Sequence, residues 1–336
     1  RALAEYSPAT RWLHTEAQRR EMLSFSRVSD ASLVPCAWRQ KAECTVGLLY
    51  YGLTRSLSLT HGSHWAQIRL PLQRAGCLAD AFVHTWSLED GTQYTWARKE
   101  AVKQNLTEHV LLRPVAFQRD NQSAFLESLR WSDYFDQSLW DSRGDVADGE
   151  WPAALLRNHL CQLESLRRAF RLMLRREQHV GAYRFVMQIR PDVHVMSGLP
   201  VDIITSLKSD EVLLADFDHL EGLNDRFAVM QQGSAARAFF QRIEAATAYR
   251  AHHGRIVGER FVKHVVEALK LKPKLVPFTF VRVRPSGVVP CRDTAIARGK
   301  FTKGFTCALS SAPHPHTDEP TDAGSDRVVF SREQLS

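Results

Sequence analysis

Residues 45–51, Thr-Val-Gly-Leu-Leu-Tyr-Tyr, form a continuous apolar run closed by Gly52. A run this short, with no polar alternation, suits a strand buried on both faces. Such a strand needs neighbouring strands beside it and helices above and below, so the segment points to an α/β fold. The following segments agree. His64–Ala75 carries Trp65, Ile68 and Leu72 at helical spacing, with Gly76 as its stop. Ala79–Trp86 reads as a second strand and Val110–Val115 as a third. Residues 119–152 read as a long surface excursion. Ala153–Gln178 is the strongest helix, because Leu156, Leu160, Leu163, Leu166, Phe170 and Met173 make one apolar stripe and Gly181 follows its end.

Arg184–Arg190, Glu211–Ala215 and Phe227–Met230 read as further strands. Ser234 is placed as the N-cap of a helix over Ala235–Arg250. Gly258–Leu271 is a helix with Val262, Val265, Val266 and Leu269 inward, and Phe278–Arg284 a last strand. This order predicts one Rossmann-like α/β domain over residues 44–290, with a mostly parallel central sheet flanked by helices. Residues 1–43 read as a stem or N-terminal wrap with a helical stretch at Arg11–Phe25. Residues 291–336 read as a loosely ordered extension.

A chain of 336 residues can bury a large core. Its net charge of +7, from 44 basic and 37 acidic residues, suits anionic partners. The basic residues are scattered, except for Arg167, Arg168, Arg171, Arg175 and Arg176 on the long helix. No helix-turn-helix, zinc-finger or RNP-type motif is present, so nucleic acid is not expected as a partner. No run of about 18 apolar residues occurs, so no membrane span is expected. The chain opens on Arg1 without a signal-like segment, which leaves room for a membrane tether upstream. None of the six cysteines forms a Cys-x-x-Cys pair, so a structural zinc is not expected. Their even number allows three disulfides of open connectivity. With the acceptor patterns Asn105-Leu106-Thr107 and Asn121-Gln122-Ser123, it favours the secretory-pathway lumen.

In α/β sheets, ligands bind beyond the carboxyl ends of strands. Four polar clusters fall at such ends: Gly52-Leu53-Thr54-Arg55, His84-Thr85-Trp86, Arg190-Pro191-Asp192-Val193-His194 and Asn224-Asp225-Arg226. Gly52 permits close backbone approach to a ligand. Arg55 suits a paired contact with phosphate or carboxylate. An acidic segment with Asp216 and Asp218 lies just before the fourth cluster.

These segments resemble nucleotide-diphospho-sugar glycosyltransferases of the GT-A type. The similarity is to the branch with a Gly-x-x-Arg turn, an Asp-x-Phe-x-His-Thr strand, an Arg-x-Asp strand end and an Asn-Asp-Arg-Phe segment. Here these are Gly52–Arg55, Asp80–Thr85, Arg190–Asp192 and Asn224–Phe227. The resemblance implies a nucleotide-sugar donor, UDP-sugar before GDP-sugar, and a glycan or glycoprotein acceptor. It also implies a Golgi enzyme assisted by Mn²⁺ or Mg²⁺. Gly52, Thr54, Arg55, His84, Thr85 and Arg190 would bind the donor. Asp192 would hold the metal with His194, and Asp216 or Asp218 would add an oxygen. Asp225, then Glu259, would be the catalytic carboxylates. Inversion or retention stays open. So do two other readings, a non-catalytic nucleotide-sugar or glycan-binding module and a sulfotransferase-like enzyme.

Overall fold

The computed structural model describes residues 44–89, 91–94, 101–141, 151–285, 287, 289–290 and 293. The apolar run forms β1 (Thr45–Tyr51), buried throughout. After it come α1 (Leu57–His64), a π-helical segment Trp65–Arg69, α2 (Leu70–Arg74) and β2 (Leu78–Ser87). Next are the hairpin β3 (Thr92–Tyr94) and β4 (Ala101–Lys103), then β5 (Ala116–Asn121), α3 (Gln122–Glu127) and α4 (Ser138–Asp141). The long helix α5 (Trp151–Val180) leads to β6 (Phe185–Ile189), β7 (Val193–Val195), α6 (Val201–Thr205), β8 (Glu211–Ala215) and β9 (Phe227–Gln231). The last elements are α7 (Ser234–Phe240), α8 (Ala246–His253), α9 (Gly258–Ala268), β10 (Lys272–Val276) and β11 (Phe280–Arg282).

The expected α/β class and mostly parallel central sheet are found. Seven strands run in the order β10-β8-β9-β6-β1-β2-β5, and β9 alone lies antiparallel to its neighbours. Each face carries its own core. On one face the α5 stripe of Leu156, Leu160, Leu163, Leu166, Phe170 and Met173 packs against Leu49, Phe82 and Val186. On the other, Leu57, Ile68 and Leu72 cover Leu48, Tyr50 and Met187. A disulfide joins Cys44 to Cys77 across the starts of β1 and β2, which fits an oxidising compartment. Cys161 is a buried free thiol. No helix among the described residues is long and apolar enough to cross a membrane.

Several elements depart from the sequence reading. The helix expected from His64 starts at Leu57 and widens to π geometry before Pro71. Pro71 has no N–H for the Gln67 carbonyl, which instead accepts from Leu199 N at 2.8 Å. Val110–Val115 is not a strand. Residues Glu108–Leu112 form a 3₁₀ turn, Arg113 takes φ +47°, and Val110 is 60% exposed. The strand begins two residues beyond Pro114, inside the stretch read as an excursion.

Ser234 opens α7 rather than capping it, and Gly233 holds the cap position with no side-chain bond. The helix read over Ala235–Arg250 breaks at Gln241. Arg242 turns into the core there and donates to the Phe239 carbonyl and to Gln188. Lys272–Val276 carries no apolar pattern, because it is an edge strand with Pro273 and two lysines. The last strand shortens to β11 and pairs with β7 in a separate ribbon. The Arg11–Phe25 helix, the 1–43 stem and nearly all of the 291–336 extension lie outside the described residues.

Candidate functional site

Strand register gathers the predicted clusters at one edge. Tyr51 pairs with His84, Tyr50 with Ile189, and Ile189 with Phe227. Parallel strands end here and antiparallel β9 begins here. The segments after β1, β2, β6 and β8 and the one before β9 therefore emerge together.

Asp192 is the hub of the first group. It is only 2% exposed and holds two guanidinium groups. Arg190 donates through Nε and Nη2 at 2.8 and 2.6 Å, and Arg55 donates through Nη2 at 2.9 Å. Burial opposes its charge, but Arg190 and Arg55 hold its carboxyl far below the usual range. Ser56 ties the Arg55 turn to the segment after β11, and Thr60 ties α1 to the Arg190–Asp192 loop. Ser56 Oγ donates to the Val283 carbonyl at 2.7 Å and Thr60 Oγ1 to the Pro191 carbonyl at 2.6 Å.

Asp225 is the hub of the second group. Asn224 fixes its loop by donating to the Phe217 carbonyl and accepting from Arg226 N, each at 3.0 Å. The Asp225 carbonyl accepts from Tyr51 Oη at 3.1 Å and Gln188 Nε2 at 2.9 Å. Its carboxylate stands at the start of α9, where a Cβ added to Gly258 would be 2.9 Å from Oδ2 and 3.1 Å from His159 Cε1. Helix N-termini favour negative charge. Arg226 lies between the carboxylates, 3.8 Å from Asp225, 4.0 Å from Glu259 and 2.5 Å from Asp218.

The two carboxylates titrate apart. Burial works against ionising Asp225, but Arg226, His159, Arg190 and Arg242 outweigh it and lower its pKa. Burial, then the Asp225 charge, pushes Glu259 up to about 8. Carboxyl pairs driven apart in this way commonly divide acid and base roles.

The other expected residues are placed less simply. Gly52 takes φ +91° and donates from its backbone to Ser165 Oγ at 2.7 Å. Thr54 and Thr85 are buried. His84 is fully buried beneath α5, with Nδ1 2.7 Å from Ser165 Oγ and Nε2 3.0 Å from Asp120. Its ring therefore braces the edge and does not line a donor cleft. Ser165 links it to Gly52, so it acts on the ligand side only by positioning.

The expected metal ligands do not converge. Both Asp192 oxygens accept from arginines, Asp218 holds Arg226, and the Asp216 side chain is 58% exposed. His194 Nδ1 is buried without a hydrogen-bond partner, and burial lowers its pKa to about 4. No metal-binding group of three or more His, Cys, Asp or Glu residues occurs among the described residues. The donor set implied for Mn²⁺ or Mg²⁺ does not fit, because guanidinium groups already occupy the best carboxylate oxygens.

Sequence reading missed Tyr51, His159, Arg242 and Arg284. The signal for His159 was a polar residue beside the α5 stripe; for Arg284 it was a cation just past a strand.

These groups set an expected pH profile. Burial lowers His64 to about 3 and His84, His159 and His194 to about 4. Below pH 6.5 the unfolded chain binds these protons first, so stability falls as pH drops from 6.5 toward 4. Glu259 has the opposite sign, since its folded pKa lies above the unfolded one. Its contribution is present at low pH and is lost as pH rises to about 8. Above pH 6.5 it acts alone among these groups, with a fall of roughly 1.4 kcal/mol per pH unit. Melting curves should peak near pH 6.5, and Glu259→Gln should remove the alkaline limb and steepen the acid limb above pH 4.5. An unchanged alkaline limb in that variant would reject the assignment.

No protein-family model matches the chain, and no curated protein matches it.

Proposed function

We propose that this chain is a GT-A type glycosyltransferase of the secretory pathway, resident in the Golgi. It moves a sugar from a UDP-sugar, or a GDP-sugar, to a hydroxyl of a glycan or glycoprotein. The carrying observation is the charged Asp225 beside Glu259, on the same sheet edge as the arginine loops of β1 and β6.

The acceptor oxygen attacks the anomeric carbon, and its proton passes to the Asp225 carboxylate. The bond from that carbon to the diphosphate breaks. Its electron pair leaves with the nucleoside diphosphate, whose charge the arginine loops meet. Arg226 keeps Asp225 ionised, and Tyr51 and Gln188 hold its backbone. Asp192 and Asp218, the carboxylates expected to hold a divalent ion, are held by arginines instead.

The test is thermal melting against UDP, GDP, CMP, ADP and 3′-phosphoadenosine 5′-phosphate, followed by release of nucleoside diphosphate from UDP- and GDP-sugars. Ligands that bind the native state raise the melting temperature. A rise with UDP or GDP, with acceptor-stimulated release of the same nucleotide, is expected. A rise with 3′-phosphoadenosine 5′-phosphate alone would replace the reading with sulfotransfer. Nucleotide binding without release would leave a binding module.

A further inference from the structure

Arg284 sits just beyond β11 at the same sheet edge. It is half-buried, and among the described residues its guanidinium makes no hydrogen bond or close ion pair, the Asp192 charge acting on it only at longer range. Its position is built. Val283 N donates to the Asp192 carbonyl at 2.9 Å, and the Val283 carbonyl accepts from Ser56 Oγ at 2.7 Å. The residue after Val283 is therefore held between the Gly52–Arg55 turn and the Arg190–Asp192 turn. Burial, then repulsion from Arg55 and Arg282, lowers its pKa to about 10.

The local charges do not balance. Arg282 is spent on Asp293, with bonds at 2.6, 3.0 and 2.7 Å. That leaves Arg55, Arg190 and Arg284 facing the single Asp192. Arg55 Nε is also buried without a partner. Unpaired polar groups are costly to bury unless a ligand completes them. A divalent cation would meet three guanidinium groups here, and the Asp192 carboxylate already accepts three arginine N–H groups. An anion with several oxygens meets complementary forks.

We propose that Arg55 and Arg284 form a diphosphate-binding site that holds a nucleoside diphosphate without a divalent cation. The nucleoside part rests on the glycosyltransferase reading; the anion site does not.

Calorimetric titration tests this with inorganic pyrophosphate, UDP and GDP, first in EDTA and then with Mn²⁺. Pyrophosphate and one nucleotide should bind in EDTA. Arg284→Gln should weaken both by about tenfold or more, the loss of a charged hydrogen bond, and Arg284→Lys should restore part. The Gln variant should melt at or above the parent, since it relieves repulsion, so a binding loss is not a folding loss. Binding that appears only with Mn²⁺, parental affinity in Arg284→Gln, or no binding of any anion would overturn the site. Pyrophosphate binding without any nucleotide would keep the anion site and overturn the glycosyltransferase reading.

Discussion

Asp225→Asn should lower sugar transfer by roughly 10³-fold, within the range that positioned acid–base groups supply, and leave nucleotide affinity near the parent. The carboxylate stands at the N-terminus of α9 beside Arg226, and cations hold it ionised. The amide keeps its shape but cannot accept the acceptor proton. A second readout does not depend on activity. The Asp225 charge is the second largest cause of the raised Glu259 pKa. With Asn in place, Glu259 should ionise at lower pH, and the fall in stability above pH 6.5 should shrink. A folded Asp225→Asn protein with full transfer would remove it from the mechanism. An alkaline stability loss of unchanged size would show that the two carboxyls do not interact.

The sheet was legible because apolar runs need little context. β1, β6 and β8 are buried on both faces, and their composition says so. The α5 stripe was equally plain. Elements governed by tertiary contact were not. Arg242 breaks a helix because Gln188 and the Phe239 carbonyl offer it partners inside the core. Lys272–Val276 becomes a strand because β8 offers it an edge. At the site, strand ends marked Arg55, Arg190, Asp192 and Asp225 correctly as neighbours of one edge. Sequence could not show how they pair. A carboxylate facing an ion and one clasped by two arginines look alike in a sequence, and only packing separates them. His84 shows the same limit, since Ser165 and Asp120 come from distant segments.

That pairing changes what loss of Asp192 should do. Were Asp192 the ligand of an ion, as the resemblance implies, Asp192→Ala would end transfer and leave the fold intact. The structure places Asp192 as the counter-charge of Arg190 and Arg55, whose side chains are 13% and 14% exposed. Truncation leaves both guanidinium groups buried with no carboxylate, close to Arg284. Breaking a buried pair on one side costs about 3–5 kcal/mol, a large share of a typical domain's stability. Asp192→Ala should therefore lower the denaturation midpoint sharply. The double variant Asp192→Ala, Arg190→Met should recover much of the loss, because it removes the stranded charge and refills the volume. Carboxylates gathered for an ion repel one another when it is absent, so removing one would raise stability in metal-free buffer. A stability gain in Asp192→Ala would thus restore the metal-ligand role, whereas a deep loss rescued by Arg190→Met would establish the arginine clamp.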